Sequence, residues 1–179
     1  FANASSVWAI NISVKDISGG VGTNNTGVFT INTVSGLSLP NTFVNFSNVN
    51  LGQQNVPSTP LYLNNTGNED FDMLNVSANL LRGTTTTTET IAATSFYANI
   101  SNETAGAGQQ LAATPVSLIE WRGPTEGKNV TFIHGHTSAS APIKDKGNLT
   151  AFFWIDVPSS GLSSQLYNAT WNITVINNP

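Results

Sequence analysis

The sequence predicts an all-β protein, a β-sandwich or jelly roll of about nine to eleven strands. Apolar and polar residues alternate with a period of two in many short segments, and Gly, Pro, Asn or Asp separate these segments. The nearest helical candidate, ETAGAGQQLAA, contains two glycines, so helix should be scarce. The predicted strands cover residues 7–16, 27–34, 42–51, 59–65, 71–81, 90–100, 114–121, 129–134, 148–157 and 166–176.

The first strand candidate lies in the opening stretch FANASSVWAINISV. Trp8, Ile10, Ile12 and Val14 fall on one face of such a strand, opposite the polar face that carries Asn11. A signal peptide or membrane anchor needs a continuous apolar run, which this alternating stretch lacks. We therefore expect no membrane insertion of the mature chain here and ask what this strand pairs with.

Composition indicates a folded, exported protein. The 179 residues carry 9% charged side chains and a net charge of -4, so neither nucleic acid nor an anionic membrane is a natural partner. With no cysteine, disulfides are excluded, and packing or other crosslinks must stabilise the fold. Asn, Thr and Ser together make up 63 residues, while 39% hydrophobic residues suffice for a core. The expected location is extracellular or at the cell surface.

The Asn-x-Ser/Thr acceptor pattern for N-glycosylation occurs twelve times, against about five expected by chance from this composition. The twelve acceptors are Asn3, Asn11, Asn24, Asn45, Asn64, Asn75, Asn99, Asn102, Asn129, Asn148, Asn168 and Asn172. Six have apolar residues on both sides, which places the Asn on the solvent face of a strand: Asn11, Asn45, Asn75, Asn99, Asn168 and Asn172. We expect covalently attached glycans on most of them, the alternative being Asn and Thr as ordinary outward residues.

Catalytic chemistry is weakly represented, and the chain is not expected to be an enzyme. His134 and His136 form a pair on one strand face, but no third ligand is nearby, so no metal or other cofactor is expected. GGVG at residues 19–22 is interpreted as a turn rather than a phosphate-binding loop. The run Thr84–Thr88 is interpreted as an exposed strand or loop that is either O-glycan-capable or simply solvated.

The segment FFWIDV is apolar on both faces, with Phe152 and Trp154 on one side and Phe153, Ile155 and Val157 on the other. It predicts a central strand covered on both faces, or a strand with one face covered by another subunit. The tryptophans also leave a sugar-binding platform open as an alternative. The four are Trp8, Trp121, Trp154 and Trp171.

The stretch FVNFSNVNLGQQNVPSTPLYLNNTGNEDFDMLNVSANLL resembles the fibre-forming TasA and camelysin class of bacterial biofilm proteins. The whole chain, rich in Asn and Thr, free of cysteine and with amphipathic strands at both ends, resembles the archaeal thread and bundling-pilus subunits. This resemblance implies polymerisation by donor-strand complementation. Residues 1–14 would be a donor strand and residues 15–179 a single sandwich with an acceptor groove. The partners would be identical subunits in a head-to-tail filament that serves adhesion, cell–cell contact or biofilm formation.

Two further classes stay open: a surface-layer or virion jelly-roll protein, whose first strand would fold back into its own sheet, and a secreted carbohydrate-binding module. A filament without disulfides also suggests an isopeptide bond from a lysine to Asn or Asp. Lys15 is the best placed, because it directly follows the expected donor strand and could tie one subunit to the next.

Overall fold

The computed structural model of the chain describes residues 7–67, 71, 73–100, 108–121, 127–129 and 147–176. Within these residues the protein is all-β, and the helical content is one 3-10 turn, Ala93–Ser95. The all-β class and the scarcity of helix are therefore confirmed. The strands are β1 Val7–Lys15, β2 Val21–Thr30, β3 Leu37–Ser38, β4 Val56–Pro57, β5 Leu61–Asn65, β6 Met73–Ser77, β7 Leu81–Gly83, β8 Thr90–Ile91, β9 Phe96–Asn99, β10 Gln109–Gln110, β11 Val116–Ser117, β12 Ile119–Trp121, β13 Gly127–Asn129, β14 Asn148–Ile155, β15 Tyr167–Asn168 and β16 Asn172–Ile176.

The main sheet is built around β14. Its order is β10-β9-β14-β5-β3, with β4 also pairing with β14, and all of the pairings are antiparallel. Phe153 and Ile155 are buried on one face of β14, and Trp154 on the other face is only 5% exposed. The strand is therefore central and covered on both faces within one chain, as the apolar run FFWI predicts.

A second sheet, in the order β11-β6-β16, shares its hydrophobic core with the main sheet. Leu74 and Val76 of β6 are fully buried, while Ile173 and Val175 of β16 are half-buried against the same core. Two sheets on one core make a sandwich-like arrangement. The buried apolar residues of this core are Leu61, Leu63, Phe71, Leu74, Val76, Ala78, Ile91, Phe96, Ala98, Leu111, Leu118, Ala151, Phe153, Ile155 and Val157.

Trp171 connects the two sheets. Its ring meets Phe96 edge-on with centroids 5.0 Å apart and lies 5.9 Å from Phe153. Its Nε1–H donates to the Asn79 carbonyl oxygen at 2.9 Å. The residue just before β16 therefore fixes the second sheet against the aromatic side chains of the main sheet.

The predicted strand at residues 42–51 is not formed, although its apolar side chains reach the core as expected. Val44 and Phe46 pack against the core, and the Asn45 carbonyl accepts a bond from the Thr59 N–H at 2.8 Å. Just before this segment, the Asn41 side-chain amide donates to the Pro60 carbonyl and accepts from the Tyr62 N–H, at 3.0 Å each. Proline has no N–H to donate to a ladder, which accounts for the missing strand beside Pro60.

Candidate functional site

β1 and β2 form a separate two-stranded antiparallel sheet. In the described part of the chain, neither strand is paired with any strand of the other sheets. From the pair Ile10–Gly27 to the pair Ile12–Asn24, the chain advances by two residues on β1 and by three residues on β2. The extra residue on β2 is a β-bulge that interrupts the ladder. The first strand is thus one half of a hairpin that forms a sheet of its own.

The turn of the hairpin is defined by Asp16. Its carboxylate Oδ1 accepts the N–H groups of Ser18 and Gly20, each at 2.8 Å, and its own N–H donates to the Gly20 carbonyl at 2.9 Å. Gly19 has a φ of 89°, a conformation that favours glycine. The sequence therefore specifies this reversal locally, with Asp and Gly where the turn needs them.

One face of the hairpin is apolar and exposed. Trp8, Ile10, Ile12 and Val14 lie on this face of β1, and Phe29 of β2 lies directly opposite Trp8. The Trp8 and Phe29 rings are stacked with their centroids 6.5 Å apart. These five side chains are between 39% and 65% exposed in the single chain. We call this surface the hairpin face.

The hairpin face is physically incomplete as it stands. A two-stranded hairpin is at best marginally stable in water, and a third strand or a packed partner is needed for a stable sheet. A contiguous apolar patch of this kind usually marks an interaction site. The sequence predicted a single donor strand at residues 1–14. In the structure β1 pairs with β2 of its own chain, so the exposed element is a hairpin that spans Val7–Thr30.

Lys15, the lysine expected to form an isopeptide bond, is the last residue of β1 and pairs with Val21 at the turn end of the hairpin. It is exposed, as are the turn residues that follow it. The crosslink stays a prediction. The paired histidines His134 and His136 lie outside the described residues.

The predicted glycosylation sites fall into two groups of burial. Acceptors with exposed side chains are Asn11, Asn24, Asn45, Asn148, Asn168 and Asn172, and Asn64 is half-buried. Asn75 and Asn99 are buried, at 9% and 2% exposure, so the expectation that their strands turn them to solvent is wrong. Asn129 lies on β13, and Asn3 and Asn102 lie outside the described residues.

Asn75 and Asn99 lie on interior strands of their sheets. Ser117 of β11 and Thr174 of β16 are paired with Asn75, and Phe152 of β14 is paired with Asn99, so side chains of neighbouring strands flank both amides. The Asn75 Oδ1 accepts a hydrogen bond from the Ser117 hydroxyl at 2.8 Å. A glycan on either amide would have to displace packed neighbours, so we restrict the expected modification to the exposed acceptors.

The most connected polar cluster surrounds Glu89, just before β8. One carboxylate oxygen accepts bonds from the Tyr167 hydroxyl at 2.5 Å, the Ser163 N–H at 2.7 Å, the Ser163 hydroxyl at 2.8 Å and the Gln165 amide at 2.8 Å. The bond from Tyr167, followed by those from Ser163, lowers the pKa of Glu89 from 4.5 to about 2. Such a carboxylate stays ionised and serves as an anchor, since a base of so low a pKa accepts protons poorly at neutral pH.

The three tryptophans whose side chains the structure describes do not share one exposed face. Trp154 is buried, Trp171 is half-buried within the core aromatics, and Trp8 is exposed on the hairpin face.

In the described ranges no three His, Cys, Asp or Glu side chains come close enough together to hold a metal ion. No helix in the described part of the chain is both long and apolar enough to cross a membrane.

Sequence reasoning missed the second half of the hairpin. Residues 19–22 were expected as a turn and residues 27–34 as a strand, whereas β2 begins at Val21 and ends at Thr30. The useful signal was the Asp-x-x-Gly-Gly pattern at residues 16–20, which is sufficient for a tight reversal. With that turn in place, Phe29 falls opposite Trp8.

No protein-family model matches the chain, and neither a curated protein nor a solved structure matches it with significance. The likeness to thread and TasA-type subunits therefore rests on the sequence features alone.

Proposed function

We propose that this protein is the structural subunit of an extracellular filament, in which the hairpin of one subunit docks on the next. The observation that carries the proposal is the hairpin face, an apolar surface of five large side chains on a sheet that is paired only with itself in the described chain. Covering such a surface lowers the free energy, because it removes apolar area from water.

The expected gain is consistent with a stable contact. Full burial of a large apolar side chain contributes about 1.5 to 3 kcal/mol, and these side chains are already about half covered in the single chain. Docking would then add about 1 kcal/mol for each of five side chains, before any new backbone hydrogen bonds. The second edge of β1 supplies those bonds, because β2 occupies only one side of it.

A second copy is the partner that the sequence favours. In the sandwich of the neighbouring copy, β16 is an edge strand of five residues. Ile173 and Val175 are half-buried on it, and Asn172 and Thr174 are exposed. A contact between the hairpin of one copy and the body of another is heterologous, so it does not close on itself and can propagate as a filament. The low charge of the chain removes most repulsion between copies.

Glycans would cover the surfaces that do not dock. Asn11 lies off the hairpin face, because it separates Ile10 from Ile12 on β1, whereas Asn24 pairs with Ile12 and shares its face. We therefore expect a glycan at Asn11 and none at Asn24. Site-resolved glycopeptide mapping tests this difference, and a fully occupied Asn24 in assembled material would contradict docking through this face.

Ile10→Asp is the direct test of the proposal. It places a carboxylate on the hairpin face, where docking would bury it without a partner, and it should abolish filaments in electron micrographs. Ala9→Asp is the matched control: it adds the same charge to the same strand, but at an exposed position on the opposite face, so filaments should persist. Equal assembly of the two variants would refute docking through the hairpin face.

Deletion of residues 1–30 separates the rival arrangements. In a head-to-tail filament the truncated subunit can accept a hairpin but cannot donate one, so a small molar fraction should cap and shorten filaments grown from the full chain. If hairpins instead pair with each other, the truncated subunit should have no effect. A full chain that stays monomeric and binds sugars would favour the carbohydrate-binding module.

Covalent reinforcement at Lys15 is a separate part of the proposal. Its place at the exposed turn of the hairpin would bring it near an adjacent subunit when the hairpin docks. Peptide mapping of assembled material should then find Lys15 joined to an Asn or Asp side chain with loss of ammonia or water. Recovery of every lysine with a free amine would remove the crosslink and leave the docking proposal standing.

A further inference from the structure

The run Thr84–Thr88 forms most of the loop between β7 and β8. All five threonine side chains are exposed. Such a cluster is unusual, because five consecutive hydroxyls occupy one loop that contributes nothing to the hydrophobic core. Its role has to be sought in what the loop presents to solvent.

The backbone of this threonine loop is held in place by the rest of the chain. The Thr84 N–H donates to the Leu166 carbonyl at 2.9 Å, and the N–H groups of Thr85 and Thr86 both donate to the Gln165 Oε1 at 2.8 Å. Within the loop, the Glu89 N–H donates to the Thr86 carbonyl at 3.0 Å. The loop backbone is therefore held in one conformation by hydrogen bonds.

The Gln165 amide is itself supported. Its Nε2 donates to Glu89, Ser163 and Tyr167 at 2.8 to 3.2 Å. The polar cluster around Glu89 therefore orients the Gln165 side chain, which in turn binds the backbone of the loop. The amide also lies directly over Gly83, where a Cβ atom would come within 2.5 Å of its nitrogen. Several independent features of the sequence thus serve the position of one short loop.

None of the five threonine hydroxyls has a hydrogen-bond partner in the described part of the chain. The contacts that fix the loop use backbone N–H and carbonyl groups, which any residue other than proline would supply. Threonine is therefore not required for the fold of the loop. What the five side chains add is a dense, outward-facing set of hydroxyl groups.

We infer that the threonine loop is a site of O-linked glycosylation. In each transfer, a threonine Oγ1 forms a bond to C1 of a sugar activated on a nucleotide or lipid phosphate. The bond from C1 to the phosphate oxygen breaks, the phosphate leaves with the electron pair, and the hydroxyl proton passes to a base of the transferase. A neutral sugar fits this loop better than a phosphate group, because the ionised Glu89 next to Thr88 would repel a second anion.

The test is a mass measurement on protein purified from its native source. Cleavage after Arg82 and after Glu89 releases the peptide Gly83–Glu89, which contains all five threonines and no asparagine. Any sugar on this peptide is therefore O-linked to threonine. We expect its mass to exceed that of the bare peptide by one or more whole sugar residues. A bare mass, or an increase by phosphate alone, would overturn the inference.

Replacing all five threonines by alanine provides the control, since the backbone bonds of the loop are retained. The native host should yield a variant that has lost the sugar mass from this peptide and unfolds at an unchanged urea concentration. Thr114→Ala, at a single exposed threonine elsewhere that belongs to no Asn-x-Thr acceptor, should leave the sugar mass on Gly83–Glu89 unchanged. Sugar that persists on the alanine peptide would contradict the assignment. The inference does not depend on hairpin docking, so filament assembly and loop glycosylation can fail separately.

Discussion

Trp8 and Trp171 should show opposite effects when each is replaced by alanine, because one tryptophan lies on the hairpin face and the other lies between the two sheets. Trp171→Ala should weaken the folded subunit and leave the docking surface intact. Trp8→Ala should leave the subunit as stable as before and weaken assembly. The pair therefore separates folding from association within one chain.

The cost of Trp171→Ala follows from its contacts. Removing a large core aromatic costs about 3 to 5 kcal/mol when the site is fully buried. Trp171 is half-buried, but it makes ring contacts at 5.0 Å and 5.9 Å and one hydrogen bond, to a carbonyl of the exposed Asn79 that water can replace. We expect a loss of about 2 to 3 kcal/mol in the free energy of unfolding, or a melting temperature about 4 to 12 °C lower.

The assay is urea unfolding followed by circular dichroism, since the substitutions alter tryptophan fluorescence. Trp8→Ala should change the free energy of unfolding by less than about 0.5 kcal/mol, because Trp8 contacts Phe29 on the hairpin rather than the core. If Trp8→Ala destabilised the subunit as much as Trp171→Ala, the hairpin would have to be part of the folded core. The separation of a docking hairpin from the sandwich would then be refuted.

Three further outcomes test the local structure. Tyr167→Phe removes the first of the bonds that hold the pKa of Glu89 at about 2 and should raise that pKa toward 4.5. The stability that the low pKa confers is fully present above pH 4.5 and is lost as the pH falls toward 2, so the variant should be less stable at neutral pH and its urea midpoint should fall less between pH 4.5 and 2. A fall as large as that of the unmodified chain would contradict the role of Tyr167. Gly67→Ala would place a Cβ 2.3 Å from the Val34 carbonyl oxygen and should lower the free energy of unfolding, measured with urea, by about 2 kcal/mol or more. Gly22→Ala is the control, because a Cβ there would meet nothing within 4 Å, and it should leave the free energy of unfolding nearly unchanged. The Asn99 glycopeptide should carry no sugar in native material, and an occupied Asn99 would show that its burial is wrong.

The sequence predicted the parts of the fold that depend on strong local patterns. The apolar run in β14 indicated a central strand, and the alternation in β16 indicated a strand with one exposed face; both are found. Alternation was misleading for Asn75 and Asn99, because it shows which residues share a face and not whether that face is covered. Cover on the second face comes from residues distant in sequence, such as Ser117 beside Asn75 and Phe152 beside Asn99.

The candidate site was predicted in part. The apolar face of β1 could be read from residues 8–14, since a period of two places these side chains together. The partner strand could not, because the glycines and asparagines of residues 19–25 have low intrinsic strand propensity and form β2 only through pairing with β1. The Glu89 cluster was also missed, as it joins residues more than 70 positions apart that no local pattern connects.

A three-dimensional map of the assembled native material by electron cryo-microscopy tests the central claim most directly. Our account predicts a filament in which Trp8, Ile10, Ile12, Val14 and Phe29 of each subunit are buried against the next subunit. It also predicts that β1 adds its second edge to a sheet of that neighbour. Subunits whose hairpin face remains open to solvent, or lies against the sandwich of its own chain, would contradict the account.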